Sequence, residues 1–155
     1  MRNKQKGFSL IELLIVVAII LIIAAIAIPN LLRSKMAANE ASAVASLRTL
    51  NTSIVAYQTT YGADPGTLAN LGPATTPGST AADLVDSLLG TDPAVKSGYS
   101  IAYTAGTTTP ITTYKMIASP VSSSTGQRLF FTDQSGVIRQ TTNGNTPTVS
   151  DTPIG

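Results

Sequence analysis

The pattern of apolar positions divides the chain early. From Phe8 to Ile28, 21 residues, only Ser9 and Glu12 are polar and only Glu12 is charged. A run of about 20 apolar residues is long enough to cross a bilayer as a helix. Arg2, Lys4 and Lys6 stand in front of it. Basic flanks stay on the cytoplasmic side, so the pattern predicts insertion with the first residues in the cytoplasm and the bulk of the chain outside. Glu12 lies one turn in from Phe8. A charge inside such a run costs about 3 kcal/mol on insertion scales, so the carboxylate needs a partner and a purpose.

The period changes after the run. Pro29 removes one helical hydrogen bond and crowds the preceding turn. The residues beyond it, Leu31, Leu32, Met36, Ala37, Ala38, Glu40 and Ala41, still favour helix, so the helix is predicted to continue through Pro29. Val44, Leu47, Leu50, Ile54, Tyr57 and Tyr61 recur at spacings of three and four, which is one helical face. Gly62 and Asp64-Pro65-Gly66 end the helix. Its first half is apolar all round, while its second half has one apolar face that something must cover.

Residues 62–98 read as a connecting loop. Gly72-Pro73 and Pro77-Gly78 mark turns, and Ala81 to Leu89 reads as a short helix with Thr80 as its N-cap. Four short runs then read as strands: Tyr99 to Ala105, Thr113 to Ser119, Arg128 to Thr132 and Val137 to Thr142. Tyr99, Ile101 and Tyr103 alternate with Ser100, Ala102 and Thr104, so one sheet face is apolar and needs a cover. The helix stripe is the expected partner. Asp133-Gln134-Ser135-Gly136 reads as a tight turn. Residues 143–155 are polar with two prolines and read as a surface tail. The pattern as a whole predicts an α+β chain, a long N-terminal helix packed on a small antiparallel sheet.

The stretch Gly7-Phe8-Ser9-Leu10-Ile11-Glu12, with the basic residues before it and the apolar run behind it, resembles the N-terminus of a type IV prepilin. That family has a short basic leader ending in Gly, then Phe, a Glu four residues later and an unbroken apolar helix. The resemblance implies cleavage between Gly7 and Phe8 by a prepilin peptidase and methylation of the new Phe8 amine. Pro29 falls where the family usually has a helix-bending Pro. The segment from Thr125 to Arg139 also looks like the end of the head domain in many bacterial pilins. On this reading residues 1–7 are leader, 8–29 the transmembrane and assembly helix, 30–61 its amphipathic continuation, 62–98 the connection, 99–142 the sheet head and 143–155 the tail.

A secretory signal peptide shares the basic start and the apolar run, and Ala25-Ile26-Ala27 offers an A-x-A-like site. That run is longer than a usual signal core, and a signal or plain anchor has no use for Glu12. Composition narrows the function further. Charged residues are 12% of the 155, about half the usual ~25%. The 10 Lys and Arg against 8 Asp and Glu give +2, but without Arg2, Lys4 and Lys6 the balance is seven bases to eight acids. No basic patch for nucleic acid stands out. With no His and no Cys, Ser135 has no His to activate it. Disulfides and imidazole or thiolate metal sites are excluded as well. Asp83 and Asp86 are three apart, which alone reads as a solvated face. No catalytic residue, metal or cofactor is expected.

The resemblance therefore implies a structural subunit of a type IV pilus. Such a subunit is held in the inner membrane as a precursor, then polymerised by an assembly machinery into an extracellular helical homo-oligomer. Phe8, Glu12 and Pro29 are the assembly residues in this reading, with Glu12 pairing the Phe8 amine of an adjacent subunit. A type II secretion pseudopilin, a minor pilin or a non-polymerising membrane-anchored adhesin are the alternatives. No aromatic residue lies between Phe8 and Tyr57, so a filament of this chain is expected to be insulating.

Overall fold

The computed structural model of the chain describes residues 7–142 and 144–154. Arg2, Lys4 and Lys6 of the expected leader lie outside the described residues. The chain forms two compact units, residues 1–35 and 36–155. A single helix, α1 (Leu10–Tyr61, 52 residues), supplies the first unit and the first element of the second. The helix runs on through Pro29, as predicted. In the first unit the large apolar side chains from Phe8 to Leu32 are all exposed.

The second unit is an antiparallel meander of six strands in the order β1-β2-β3-β4-β5-β6, with the later part of α1 on its apolar face. The strands are β1 (Ala94–Lys96), β2 (Tyr99–Ala105), β3 (Tyr114–Pro120), β4 (Leu129–Asp133), β5 (Arg139–Thr141) and β6 (Thr152–Pro153). Tyr99, Ile101 and Tyr103 of β2 point into the core with Met116 and Ala118 of β3 and Phe130 of β4. Leu47, Leu50, Ile54 and Tyr57 of α1 meet them there, and Leu47 and Leu50 are fully buried. The buried helical face also takes in Ala43, Ser46 and Ser53, while Val44 is only half-buried and Tyr61 is 36% exposed. Ser46 and Ser53 face the loop around Leu84, whose carbonyl accepts from Ser53 Oγ at 3.2 Å, which widens the buried face beyond the large apolar positions.

Three local expectations are corrected. The helix expected over Ala81 to Leu89 does not form. The N–H groups there are used elsewhere: Ala82 donates to the Asn70 carbonyl at 2.8 Å, Asp83 to Gly72 at 2.8 Å and Leu84 to Leu71 at 2.9 Å. Asp83 has φ +54°, a left-handed conformation that cannot continue a helix. The short helix in this connection is instead a 3-10 turn, Leu68–Leu71. Its Leu68 and Leu71 are fully buried, and Val85 and Leu89 join them in the core. The second correction is β1, which lies inside the segment read as pure connection. The third is β6, which lies inside the expected tail and pairs with β5 through Gln140 and Thr152. Strands of three and two residues carry too little alternation to be read from sequence. The tail is further held by Ile154 N–H donating to the Ile138 carbonyl at 2.8 Å and by Arg139 Nη1 donating to the Asp151 carbonyl at 3.0 Å.

One ionic clasp ties α1 to the sheet. Buried Glu40 accepts from the N–H groups of Gln127 at 3.0 Å and Arg128 at 3.2 Å, and from Arg128 Nε at 2.7 Å. Arg128 Nη1 also donates to Gln140 Oε1 at 2.7 Å, and the guanidinium lies 5.6 Å from the Phe130 ring centroid. Burial would raise the Glu40 carboxyl, but the Gln127 N–H and the Arg128 side chain and N–H outweigh it and hold the group below its ordinary 4.5. Asp64 behaves oppositely, because burial without such donors pushes it above 3.8.

The signs of the two linkages follow. A depressed Glu40 contributes stability that is fully present above 4.5 and lost as pH falls through its folded value. A raised Asp64 favours the fold below 3.8 and loses that contribution as pH rises. We predict that Glu40→Gln, which mimics the protonated acid, lowers stability at pH 7 by about 2 kcal/mol, the scale of a hydrogen bond to a charged group. Melts of the detergent-solubilised chain, followed by tyrosine circular dichroism, should show variant and wild type converging in acid. An equal gap at every pH would contradict this.

Candidate assembly site on the N-terminal helix

The start of α1 is built by its own sequence. The first four N–H groups of any helix lack intrahelical partners, and in an apolar setting each orphan costs several kcal/mol. Ser9 sits just before the first helical residue. Its Oγ accepts from the Ile11 N–H at 3.3 Å, and its carbonyl accepts from Leu13 N–H at 3.3 Å, opening the ladder. Glu12, three residues on, reaches back: its Oε2 accepts from the Ser9 N–H at 2.9 Å. The Ser-x-x-Glu pattern thus gives half of a capping box, the Glu12 carboxylate on the Ser9 N–H, while Ser9 Oγ serves the second helical N–H in place of the third. A carboxylate in the first turn also faces the positive end of the helix dipole.

The expected site residues are therefore placed as follows. Phe8 immediately precedes the cap and is 92% exposed. Glu12 is exposed on the first turn and is brought to Ser9, next to Phe8 in the chain. A side chain built on Gly7 would meet nothing within 4 Å, so the packing of this chain does not itself require glycine there. Pro29 is helical and exposed, about 26 Å of helical rise beyond Glu12, and is not brought to the cap. Ser9 is a further residue of the site, beyond those the motif names. Its signal was present, since Ser followed three residues later by Glu ahead of an apolar run is a helix-start pattern.

Elsewhere the titratable groups serve the fold. Asp86 accepts from the Leu89 N–H at 2.8 Å and pairs with Lys96 at 3.0 Å. These contacts, the Leu89 N–H first, hold its carboxyl below the usual range. Asp133 accepts from Ser135 N–H at 2.9 Å and its carbonyl from Gly136 N–H at 2.9 Å, with Gly136 at φ +71°. That is the tight turn expected at this point. Among the described residues no group of three or more His, Cys, Asp or Glu is placed to hold a metal. Among the described residues one helix is long and apolar enough to cross a membrane, and it is α1.

Residues 2–28 match the prokaryotic N-terminal methylation motif. The chain is 42% identical over 88 residues to the type IV wide pilus major component PilA4 of Thermus thermophilus, covering 55% of this chain and 66% of the relative. It is 49% identical over 49 residues to the type IV major pilin protein PilA of Myxococcus xanthus, covering 32% and 22%. It is also 31% identical over 72 residues to the type II secretion system core protein G of Dickeya chrysanthemi, covering 46% and 47%. The matched part thus spans 66% of one relative's length and less than half of the other two. Taken with the capped apolar helix and the antiparallel sheet, these findings identify an α+β protein with a methylation-type N-terminus. The chain belongs to the type IV pilin family.

The cap makes a prediction of its own. Ser9→Ala removes the oxygen that accepts from Ile11 and should weaken the first turn by about 1 kcal/mol. In detergent micelles, amide exchange at Ile11 should speed up while exchange at Leu21 stays unchanged. Unaltered exchange at Ile11 would show that the cap does not hold the helix start.

Proposed function

We propose that this chain is a structural subunit of a type IV pilus, and a major one. The observation that carries the proposal is the first unit: an apolar helix surface exposed all round, entered through a single capped carboxylate. In a bilayer that surface is satisfied by lipid. Once the helix is withdrawn, each large side chain left in water costs about 2 kcal/mol. Lipid tails are as apolar as leucine, so neighbouring helices gain little by meeting inside the membrane. Extraction and polymerisation are then one coupled event, and the filament core is made of Leu, Ile, Val and Ala. The likeness to PilA4 and PilA supports a major subunit over a minor one.

The basic leader is cleaved after Gly7 by a prepilin peptidase, and the Phe8 amine is methylated. That a side chain at position 7 would be unhindered in this chain supports a glycine kept for the peptidase. Glu12 sets the register: its carboxylate pairs the Phe8 amine of an adjacent subunit, because either charge unpaired in an oily core costs several kcal/mol. Pro29 leaves the Ala25 carbonyl without its helical donor, a place for the helix to unwind as the fibre stretches. The precursor resides in the inner membrane, and the assembled filament is extracellular. No catalytic role is assigned. A pseudopilin of a type II secretion system is the second reading, supported by the likeness to core protein G. Long surface filaments that vanish when the gene is deleted support the pilus. Loss of protein secretion with no such filaments supports the pseudopilin.

Processing is checked by the intact mass of the subunit from the host. It should correspond to a chain starting at methylated Phe8, and Gly7→Leu should retain the leader. A mature chain starting at Met1 or Ile28 would overturn the prepilin reading.

Pairing is checked by Glu12→Leu. Cleavage and membrane insertion should be intact, while filament number on cells falls steeply. Filaments at wild-type number and growth rate would exclude the pairing role.

A further inference from the structure

Two different surfaces flank the helix in the second unit, and they are complementary. The first is a groove of about 280 Å³ with an apolar floor that includes Ala41, Val44, Ala45 and Ile154. Arg48 and Arg128 also line it. Arg128 is engaged by Glu40 and Gln140. Arg48 is exposed, and its guanidinium joins neither of the two ion pairs among the described residues.

The second surface is the loop from Asp83 to Leu88, which with Ser42, Ala45, Ser46 and Thr49 of α1 walls a second depression. This loop is a rigid knob. The Asp83 and Leu84 N–H groups are bonded to Gly72 and Leu71, the Leu84 carbonyl accepts from Ser53 Oγ at 3.2 Å, and Val85 and Leu89 anchor it in the core. Leu84 and Leu88 are left outside, 37% and 54% exposed. The Asp83 carboxylate joins neither ion pair among the described residues.

We propose that the Asp83–Leu88 knob of one copy docks in the Arg48–Arg128 groove of the next copy. Leu84 and Leu88 cover the apolar floor, and Asp83 meets Arg48. The knob is already ordered, so docking loses little conformational freedom. Charge complementarity selects the partner and orients it. The two surfaces are different patches of one chain, so the contact is head-to-tail. Reciprocated within one pair it would close as a two-fold dimer; passed on from copy to copy, as the pilus reading requires, it propagates into a ring or an open helical filament. This inference rests on the pilus reading and adds the residues through which the heads meet.

The chain has no cysteine, which makes a cross-linking test clean. Ala41→Cys, in the groove and away from the chain's own knob, and Leu88→Cys are introduced together in the full chain, and filaments purified from the host are treated with a short bis-maleimide. Denaturing gels should show a ladder of dimers and higher multimers at whole multiples of the subunit mass. Each single variant should give none. Filaments that form without a ladder would overturn the docking while leaving the pilus reading intact. Adducts that are not subunit multiples would overturn it in favour of a different partner. Absence of any filament from the wild-type chain would contradict the pilus reading itself. If the cysteine variants do not assemble, a charge cycle decides. Asp83→Asn keeps a residue that tolerates φ +54°, and Arg48→Gln removes the opposite charge. Each should lower filament number, and the double variant should fall no further. Additive losses, or none, would overturn the proposal.

Discussion

An apolar surface that never meets water is the constraint on which the rest depends. The first unit exposes Leu, Ile and Val on every side of α1. No fold of that segment alone removes this surface from solvent, because a single helix has no second layer to bury it. The segment is stable only against lipid or against other helices. Its polar features follow from the same constraint. Ser9 and Glu12 exist together as a cap that satisfies the helix start where water is scarce. Glu12 thereby has two tasks, a local one visible in the single chain and the proposed one between chains. The two tasks compete for one carboxylate, so a pairing amine has to offer at least as much as the Ser9 N–H it displaces.

The second unit answers a different problem, that of a small domain with no cysteine and so no disulfide. Its sheet is closed over α1 by packing, by the Glu40–Arg128 ion pair and by hydrogen bonds from Asn39 and Asn51 to the Thr125 carbonyl and Thr132 Oγ1. Leu47, Leu50, Ile54 and Phe130 provide apolar burial, and Glu40 joins the helix to the loop before β4. A buried ion pair is a weak source of net stability, though breaking it is costly. Its greater value here is positional, since three donors from two residues converge on one carboxylate. Both sheet edges, β1 and β6, are only three and two residues long. Short edges leave little unpaired backbone for unwanted strand pairing, which suits subunits that have to pack side by side.

The sequence made the large periodic features legible and hid those resting on few residues. The apolar run, the helix passing through Pro29, the helical stripe and the alternation of Tyr99, Ile101 and Tyr103 all repeat enough to be read. The alternation alone gives β2 its observed bounds, Tyr99–Ala105. The Ala81–Leu89 helix failed because Leu84, Leu88 and Leu89 mimic a helical face in a loop whose N–H groups bond across to the 3-10 turn. That bonding is a tertiary choice with no local signature. The Glu40 clasp joins residues 87 and 88 positions apart, so no window on the sequence contains both ends. At the proposed cleavage and assembly sites Gly7, Phe8, Glu12 and Pro29 are legible as a motif, whereas only the geometry shows that Glu12 already has a partner, Ser9, in its own chain.

The central claim is that the exposed face of the first unit is buried between subunits once the filament has formed. The absence of cysteine allows it to be measured site by site. Ile19→Cys and Val121→Cys are made separately in the full chain, and intact purified filaments are exposed to a water-soluble maleimide. Val121→Cys, in an exposed turn of the second unit, should label to completion. Ile19→Cys should stay unlabelled until the filament is dissociated in detergent. Equal labelling at both positions in intact filaments would contradict it.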